Sequence, residues 1–164
     1  MEVLQLGNET LRQKAVPVAE INDEIRNLVR EMFVTMEKEE GIGLAAPQVG
    51  RSIRLFVVKA DDGVERTFIN PQYIATTTET EGYEEGCLSI PKTYEEVIRP
   101  SSVTVQAKNE KGRRFTLEAD GLLARVIQHE YDHLDGILFI DRIDADKKEK
   151  IEQKFLKKAQ KKED

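Results

Sequence analysis

Apolar side chains recur along this chain at two different spacings, and the change from one to the other marks out its elements. Ile21, Ile25, Leu28, Val29, Met32, Phe33 and Met36 lie on one stripe of a 3.6-residue period, which predicts an amphipathic helix over residues 21–40. Asn22 is suited to cap its start, and Gly41 to end it in a left-handed turn. The segment Gly41-Ile42-Gly43-Leu44-Ala45-Ala46-Pro47-Gln48-Val49-Gly50 then reads as a tight loop pressed close against something. From Arg51 to Leu117 the texture is that of strands. Ile53 to Val58, Val64 to Ile69, Val103 to Lys108 and Arg113 to Leu117 are short, often β-branched segments, with Asp61-Asp62-Gly63 and Asn109-Glu110-Lys111-Gly112 as hairpin loops. Beyond Asp120, helical spacing returns at Leu122, Leu123, Val126, Ile127 and Leu134, and this second helix is expected to stop at Gly136. Ile137 to Ile140 reads as a last short strand. From Asp144 onward the composition is helical, and Ile151, Phe155 and Ala159, four apart, make a face able to dock. Strands joined by hairpin loops rather than by helices point to an α+β fold with antiparallel sheet, in one domain over residues 1–164.

Composition narrows the setting. No apolar run approaches the roughly 18–20 residues of a membrane span, and Leu55-Phe56-Val57-Val58 has the length of a buried strand. The N-terminus lacks the basic start and long apolar stretch of a signal peptide, and a single cysteine cannot form an internal disulfide. A cytoplasmic protein with no membrane partner is therefore expected. The net charge of -6 argues against a general nucleic-acid binder and against DNA as a partner, yet the charge is uneven: residues 147–164 carry +4 and the rest -10.

The second helix contains His129-Glu130-Tyr131-Asp132-His133, and these are the chain's two histidines. Residues four apart share a helical face, so both imidazoles can reach one metal ion, with Glu130 beside them to handle the proton of a bound water. A catalytic centre of this kind uses three protein ligands and leaves a position open. The elongated protease pattern HExxHxxGxxH finds its glycine at Gly136, but Phe139 stands where its third histidine would be, which excludes that class. A carboxylate ligand would have to come from Glu149 or Glu152, both set among lysines, which leaves a zinc peptidase as the runner-up reading. A structural metal module or ribosome-binding module without catalysis is the rival from another class. The favoured third ligand is Cys87, in Glu84-Glu85-Gly86-Cys87-Leu88-Ser89-Ile90-Pro91. A thiolate lowers the net charge of the site to about +1 and still lets the ion acidify a water towards about 7. Thiolate with imidazole suits Fe(II), Zn, Ni or Co.

Three segments, Gly41-Ile42-Gly43-Leu44-Ala45-Ala46-Pro47-Gln48, Glu85-Gly86-Cys87-Leu88-Ser89 and Gln128-His129-Glu130-Tyr131-Asp132-His133, resemble in order and separation the three signature motifs of the peptide deformylases. The resemblance implies antiparallel sheets packed around the central helix that carries the two histidines, with the amphipathic helix before it and the lysine-rich helix after it. It implies a hydrolase that removes the formyl group from N-formyl-methionyl nascent peptides and releases formate. By motif match, Cys87, His129 and His133 would hold the metal, natively Fe(II), with Zn, Ni or Co able to occupy purified protein. Glu130 would be general base and acid for attack by a metal-bound hydroxide. The Gln48 side-chain amide and the Leu88 N–H would receive the oxyanion. Ile42, Gly43 and Gly86 would pair with the substrate backbone, and Ile42, Tyr83, Glu85, Leu122, Arg125, Val126 and His129 would line the methionine pocket. Two positions depart from the family: Lys92 follows Ser89-Ile90-Pro91 where a glycine is common, and Arg125 stands where some members have an apolar residue, its aliphatic stem suited to the pocket rim. The short spacing of the first two motifs and the helical tail resemble the bacterial type 1 branch. That branch implies a ribosome contact through the tail, for which Lys154, Lys157, Lys158, Lys161 and Lys162 are the candidates.

Overall fold

In the computed structural model, which describes residues 1–163 and side chains through residue 157, three helices and seven strands follow in the order α1 (Asp23–Lys38), β1 (Gly43–Ala45), β2 (Leu55–Lys59), β3 (Glu65–Thr76), β4 (Thr80–Cys87), β5 (Ile90–Pro100), β6 (Ser102–Lys108), β7 (Arg114–Asp120), α2 (Gly121–Leu134) and α3 (Ala145–Glu163). The fold is α+β, and every strand pairing is antiparallel. Five strands form one sheet in the order β1-β2-β3-β6-β7, and β4 and β5 form a separate two-stranded ribbon. Among the described residues, no helix is long and apolar enough to cross a membrane.

Strand β2 explains how the layers meet. Successive side chains of a strand point to opposite faces, so Phe56 and Val58 enter the cluster shared with Ala124, Val126 and Ile127 of α2. Leu55 and Val57 enter the cluster shared with Val29, Met32 and Met36 of α1. These four side chains of β2, Leu55 to Val58, are fully buried, which is why the segment reads as an unbroken apolar run. The sheet is thus sandwiched between α1 and α2. A third cluster joins the ribbon, through Ile90 and Val97, to Leu138, Phe139, Ile140 and Phe155 of the C-terminal part.

Three sequence expectations need correction. The end of α1 is not made by Gly41 in the left-handed region; Glu40 takes that conformation (φ 59°), and the Gly41 N–H closes the turn on the Met36 carbonyl at 2.9 Å. What Gly41 gives is close approach of Leu88, since a Cβ there would sit 2.8 Å from Leu88 Cδ1 and displace that side chain. Residues 137–140 are not a strand. Phe139–Arg142 form a 3-10 turn whose start is held by the Leu138 N–H donating to Asp141 Oδ2 at 2.9 Å, and Leu138, Phe139 and Ile140 are apolar because they fill the third cluster. Finally, β3 runs seven residues past the predicted Ile69, and the ribbon β4–β5 lies where no separate strands were delineated. The docking face of α3 is present at Ile151 and Phe155, and Lys154 and Lys157 are exposed. The expectations on Lys158, Ala159, Lys161 and Lys162 lie outside the described side chains.

Candidate metal centre

Helix α2 carries His129 and His133 on one face, one turn apart, with ring centroids 5.2 Å from each other. The ribbon delivers Cys87 from the end of β4, where a register shift between Glu85 and Cys87 breaks the ladder and leads into the Leu88–Ser89 turn. One donor atom each from Cys87, His129 and His133 lie within 4.8 Å of one another, and Cys87 Sγ is 3.4 Å from His133 Nε2. Both rings are buried. Glu149 and Glu152 are on α3 and, among the described residues, belong to no such group of metal donors.

The surroundings bias the centre towards a cation. His129 Nδ1 meets Glu85 Oε1 at 2.8 Å, which directs its other nitrogen away from Glu85. Burial favours the neutral ring of His129, but hydrogen bonds to Cys87 and Glu85 outweigh it and hold its pKa well above the ordinary value. His133 is driven the other way, by burial and then by His129. Among the described residues, His133 Nδ1 and Glu130 Oε1 are buried with no hydrogen-bond partner, which is costly unless something else meets them. Burial, opposed by His129 and reinforced by Glu85, pushes Glu130 up to about 7. Two imidazoles and a thiol facing a buried carboxylate fit a divalent ion of borderline softness.

Glu85 is as buried as Glu130 but fully engaged. Arg99 Nε donates to its Oε2 at 2.6 Å and Arg99 Nη2 to its Oε1 at 3.0 Å, while Arg125 Nη1 reaches Oε2 at 2.9 Å. Burial alone would raise this carboxyl; the bonds to His129 and Arg99 win and hold it far below its ordinary value. Arg99 continues to Asp132 at 2.8 Å, and Arg142 binds the same carboxylate at 2.6 Å. Arg125 turns its guanidinium inward, also donating to the carbonyls of Val97 and Glu81, both at 2.8 Å, so that its head is anchored under the ribbon. Tyr83 covers it from outside at 5.6 Å.

A cleft of about 520 Å³ opens beside the donors. Gln48, Cys87, Leu88, His129 and Glu130 line it, together with every expected pocket and backbone-pairing residue: Ile42, Gly43, Tyr83, Glu85, Gly86, Leu122, Arg125 and Val126. His133 lies behind this surface. The glycine at 43 is a matter of contact, since a Cβ there would fall 2.5 Å from Glu130 Oε2 and 2.7 Å from Val126 Cγ1. The Gln48 amide is oriented at both ends: Oε1 accepts the Ala45 N–H at 2.9 Å, and Nε2 donates to Ser89 Oγ at 3.0 Å with Cys87 Sγ at 3.5 Å. Ser89, Arg99, Asp132 and Arg142 were given no role by sequence reasoning. The available signal was a charged residue, Arg99, at a strand position of the same parity as the buried Val97. Lys92, also on the cleft, adopts φ 58°, in the left-handed region that favours glycine.

A family model described as polypeptide deformylase matches residues 1–149. The peptide deformylase of Treponema pallidum (strain Nichols) is 53% identical over 149 residues, covering 91% of each chain, and that of Neisseria gonorrhoeae is 48% identical over 163 residues, covering 98% of this chain and 96% of its own. Among solved structures, the Synechococcus elongatus peptide deformylase in complex with actinonin superposes with a TM-score of 0.87 at 47% identity, covering 90% of this chain and 81% of that one. The Legionella pneumophila enzyme superposes with a TM-score of 0.91 at 37% identity, covering 98% and 96%. The chain belongs to the polypeptide deformylase family.

Proposed function

We propose that this protein removes the formyl group from the N-terminal formyl-methionine of newly made peptides in the cytoplasm, releasing formate. The observation that carries the reading is a Cys/His/His donor set converging beside a buried carboxylate that has an unpartnered oxygen. Cys87, His129 and His133 would hold the ion, natively Fe(II), with Zn, Ni or Co accepted in its place. Such an ion, when bound, acidifies a water and polarises the formyl oxygen.

The protein's own groups account for the remainder. Glu130 takes the water proton at Oε1 and returns it to the leaving amine, and burial, by favouring its protonated form, suits the carboxyl to hold the proton between the two transfers. Gln48 Nε2 and the Leu88 N–H receive the charge developing on the formyl oxygen; the amide is neutral, so it donates without competing for the ion. Glu85 holds His129 in the orientation that leaves its second nitrogen for the metal. Ile42, Gly43 and Gly86 pair with the substrate backbone as an added strand would, and the bare Cα of Gly43 leaves the approach to Glu130 open. The methionine side chain enters the cleft among Ile42, Tyr83, Leu122 and Val126, over Glu85, Arg125 and His129.

The test is formate release from formyl-Met-Ala-Ser by protein purified without oxygen, with metal measured on the same sample. Activity that tracks iron and decays in air supports Fe(II), and stable activity with zinc alone overturns that choice. Cys87→Ala is expected to lose the metal; a zinc peptidase with a carboxylate ligand would keep it. The ribosome contact proposed for the tail predicts that deleting residues 153–164 weakens co-sedimentation with ribosomes at low salt, and unchanged co-sedimentation refutes it.

A further inference from the structure

The first residues of the chain reach across both groups assigned above to the oxyanion. The Leu4 N–H donates to the Gln48 carbonyl at 2.7 Å and the Leu6 N–H to the Ser89 carbonyl at 2.9 Å, while Gln5 Nε2 donates to the Leu88 carbonyl at 3.3 Å. Neighbouring side chains anchor the same stretch. Val3 packs in the cluster that contains Leu88, and Leu6 in the cluster that contains Cys87. Gln48 belongs to the 3-10 turn Ala46–Val49 that follows β1, whereas Leu88 and Ser89 belong to the turn between β4 and β5. These segments come from separate sheets. Among the described residues, the other polar ties between them are the contacts of Gln48 Nε2 with Ser89 Oγ and Cys87 Sγ.

We infer that Leu4–Leu6 form a positioning strap that sets the gap between the Gln48 amide and the Leu88 N–H, so that both donors meet one substrate oxygen. The inference rests on the oxyanion reading above. Each strap bond holds a carbonyl in the backbone that carries a donor, and so restrains how that backbone can tilt. Two donors converge on one oxygen only while the distance between their segments is kept, and a shift of about 1 Å in such a site lowers rate by up to about 100-fold.

The experiment uses the full chain. Leu4→Pro removes the N–H that meets Gln48, and Leu4→Ala keeps it while trimming the side chain. For each variant kcat and KM on formyl-Met-Ala-Ser, metal content, and the side-chain amide resonance of Gln48 in the metal-free protein are measured. Leu4→Pro is expected to lower kcat by about 10- to 100-fold with KM within about twofold, to leave metal content unchanged and to shift the Gln48 resonance. Leu4→Ala should do much less on both counts. In a Gln48→Ala background the proline should add no more than about threefold, because the donor it places is already gone. Equal effects of proline and alanine, or losses that multiply in that background, overturn the strap. A Gln48→Ala variant with unchanged kcat overturns the oxyanion reading instead. Should Leu4→Pro fail to fold, Gln5→Ala, at an exposed side chain, takes its place. It should lower kcat by about threefold or more at an unchanged melting temperature, and no change in kcat refutes the strap.

Discussion

The two walls of the cleft are built on opposite physical plans. The wall made by α2 is seated on apolar packing, with Ala124, Val126 and Ile127 against Phe56 and Val58, and it brings to the cleft a buried carboxylate, Glu130, whose Oε1 has no hydrogen-bond partner among the described residues. The ribbon wall of β4 and β5 has apolar packing at Ile90 and Val97, but beneath the cleft it is seated on charge. Glu85 receives His129, Arg99 and Arg125, and Arg99 passes the pairing on to Asp132 and Arg142. Glu85 and Glu130 are comparably buried, yet one is held strongly acidic and the other is raised to about 7. Burial does not decide which carboxyl can move a proton; the supply of donors does.

The sharpest way to break this comparison is to exchange a single oxygen for nitrogen at Glu130. Glu130→Gln is expected to lower turnover by about 100- to 10,000-fold, the range of a positioned general acid–base group, with metal content and melting temperature retained. Formate release and metal analysis on the same protein check it. A variant that retains turnover would make the α2 wall a scaffold like its partner.

The converse change is at the ribbon. Glu85→Ala leaves the guanidinium groups of Arg99 and Arg125 buried without their shared counter-charge, and breaking a buried pair in this way destabilises by about 3–5 kcal/mol. It also frees the His129 ring, for which a loss of about 10- to 100-fold in metal affinity is expected. Urea unfolding and a competitive chelator titration measure the two. If Glu85→Ala unfolds no more easily than Glu130→Gln, the two walls do not differ as argued.

Acid and base should separate the walls with opposite sign. In the metal-free protein the Glu130 carboxyl rises from 4.5 unfolded to about 7 folded, so folding favours its protonated form. Its contribution is present below the unfolded value and is lost as pH rises through about 7. Glu85 is lowered, so its contribution is present above 4.5 and is lost as pH falls through its folded value. Metal-free wild type should therefore lose more stability between about pH 5 and 8 than metal-free Glu130→Gln. Parallel melting-temperature curves for the two would show that Glu130 carries no such penalty.

The same contrast governs what could be read before folding. The stripe from Ile25 to Met36 and the run from Leu55 to Val58 announce α1 and β2 because their burial is apolar and local in sequence. His129 and His133 announce their shared face for a similar reason, since helical spacing alone sets it. The ribbon was not delineated because its inward positions include Glu85 and Arg99, which look like solvent residues until their partners from α2 are in place. Ile137–Ile140 misled in the other direction: an apolar run of that length is buried whether as strand or as 3-10 turn, and periodicity does not distinguish them.

The smallest expected effect tests whether the ribbon's irregular backbone serves the site or merely tolerates its sequence. Lys92 sits in the left-handed region, where a residue with a Cβ is disfavoured by about 1–2 kcal/mol and glycine is not. Glycine gives back about 0.5–1 kcal/mol through the entropy of the unfolded chain. Lys92→Gly should therefore raise stability slightly, by up to about 1 kcal/mol, seen as a higher urea midpoint at an unchanged slope. Among the described residues no salt bridge involves Lys92, so no ion pair is lost with it. A lower midpoint would mean that the lysine stem packs on the cleft wall strongly enough to outweigh its own backbone strain. The ribbon would then be held by side-chain contact at its turn as well as by the charges beneath it.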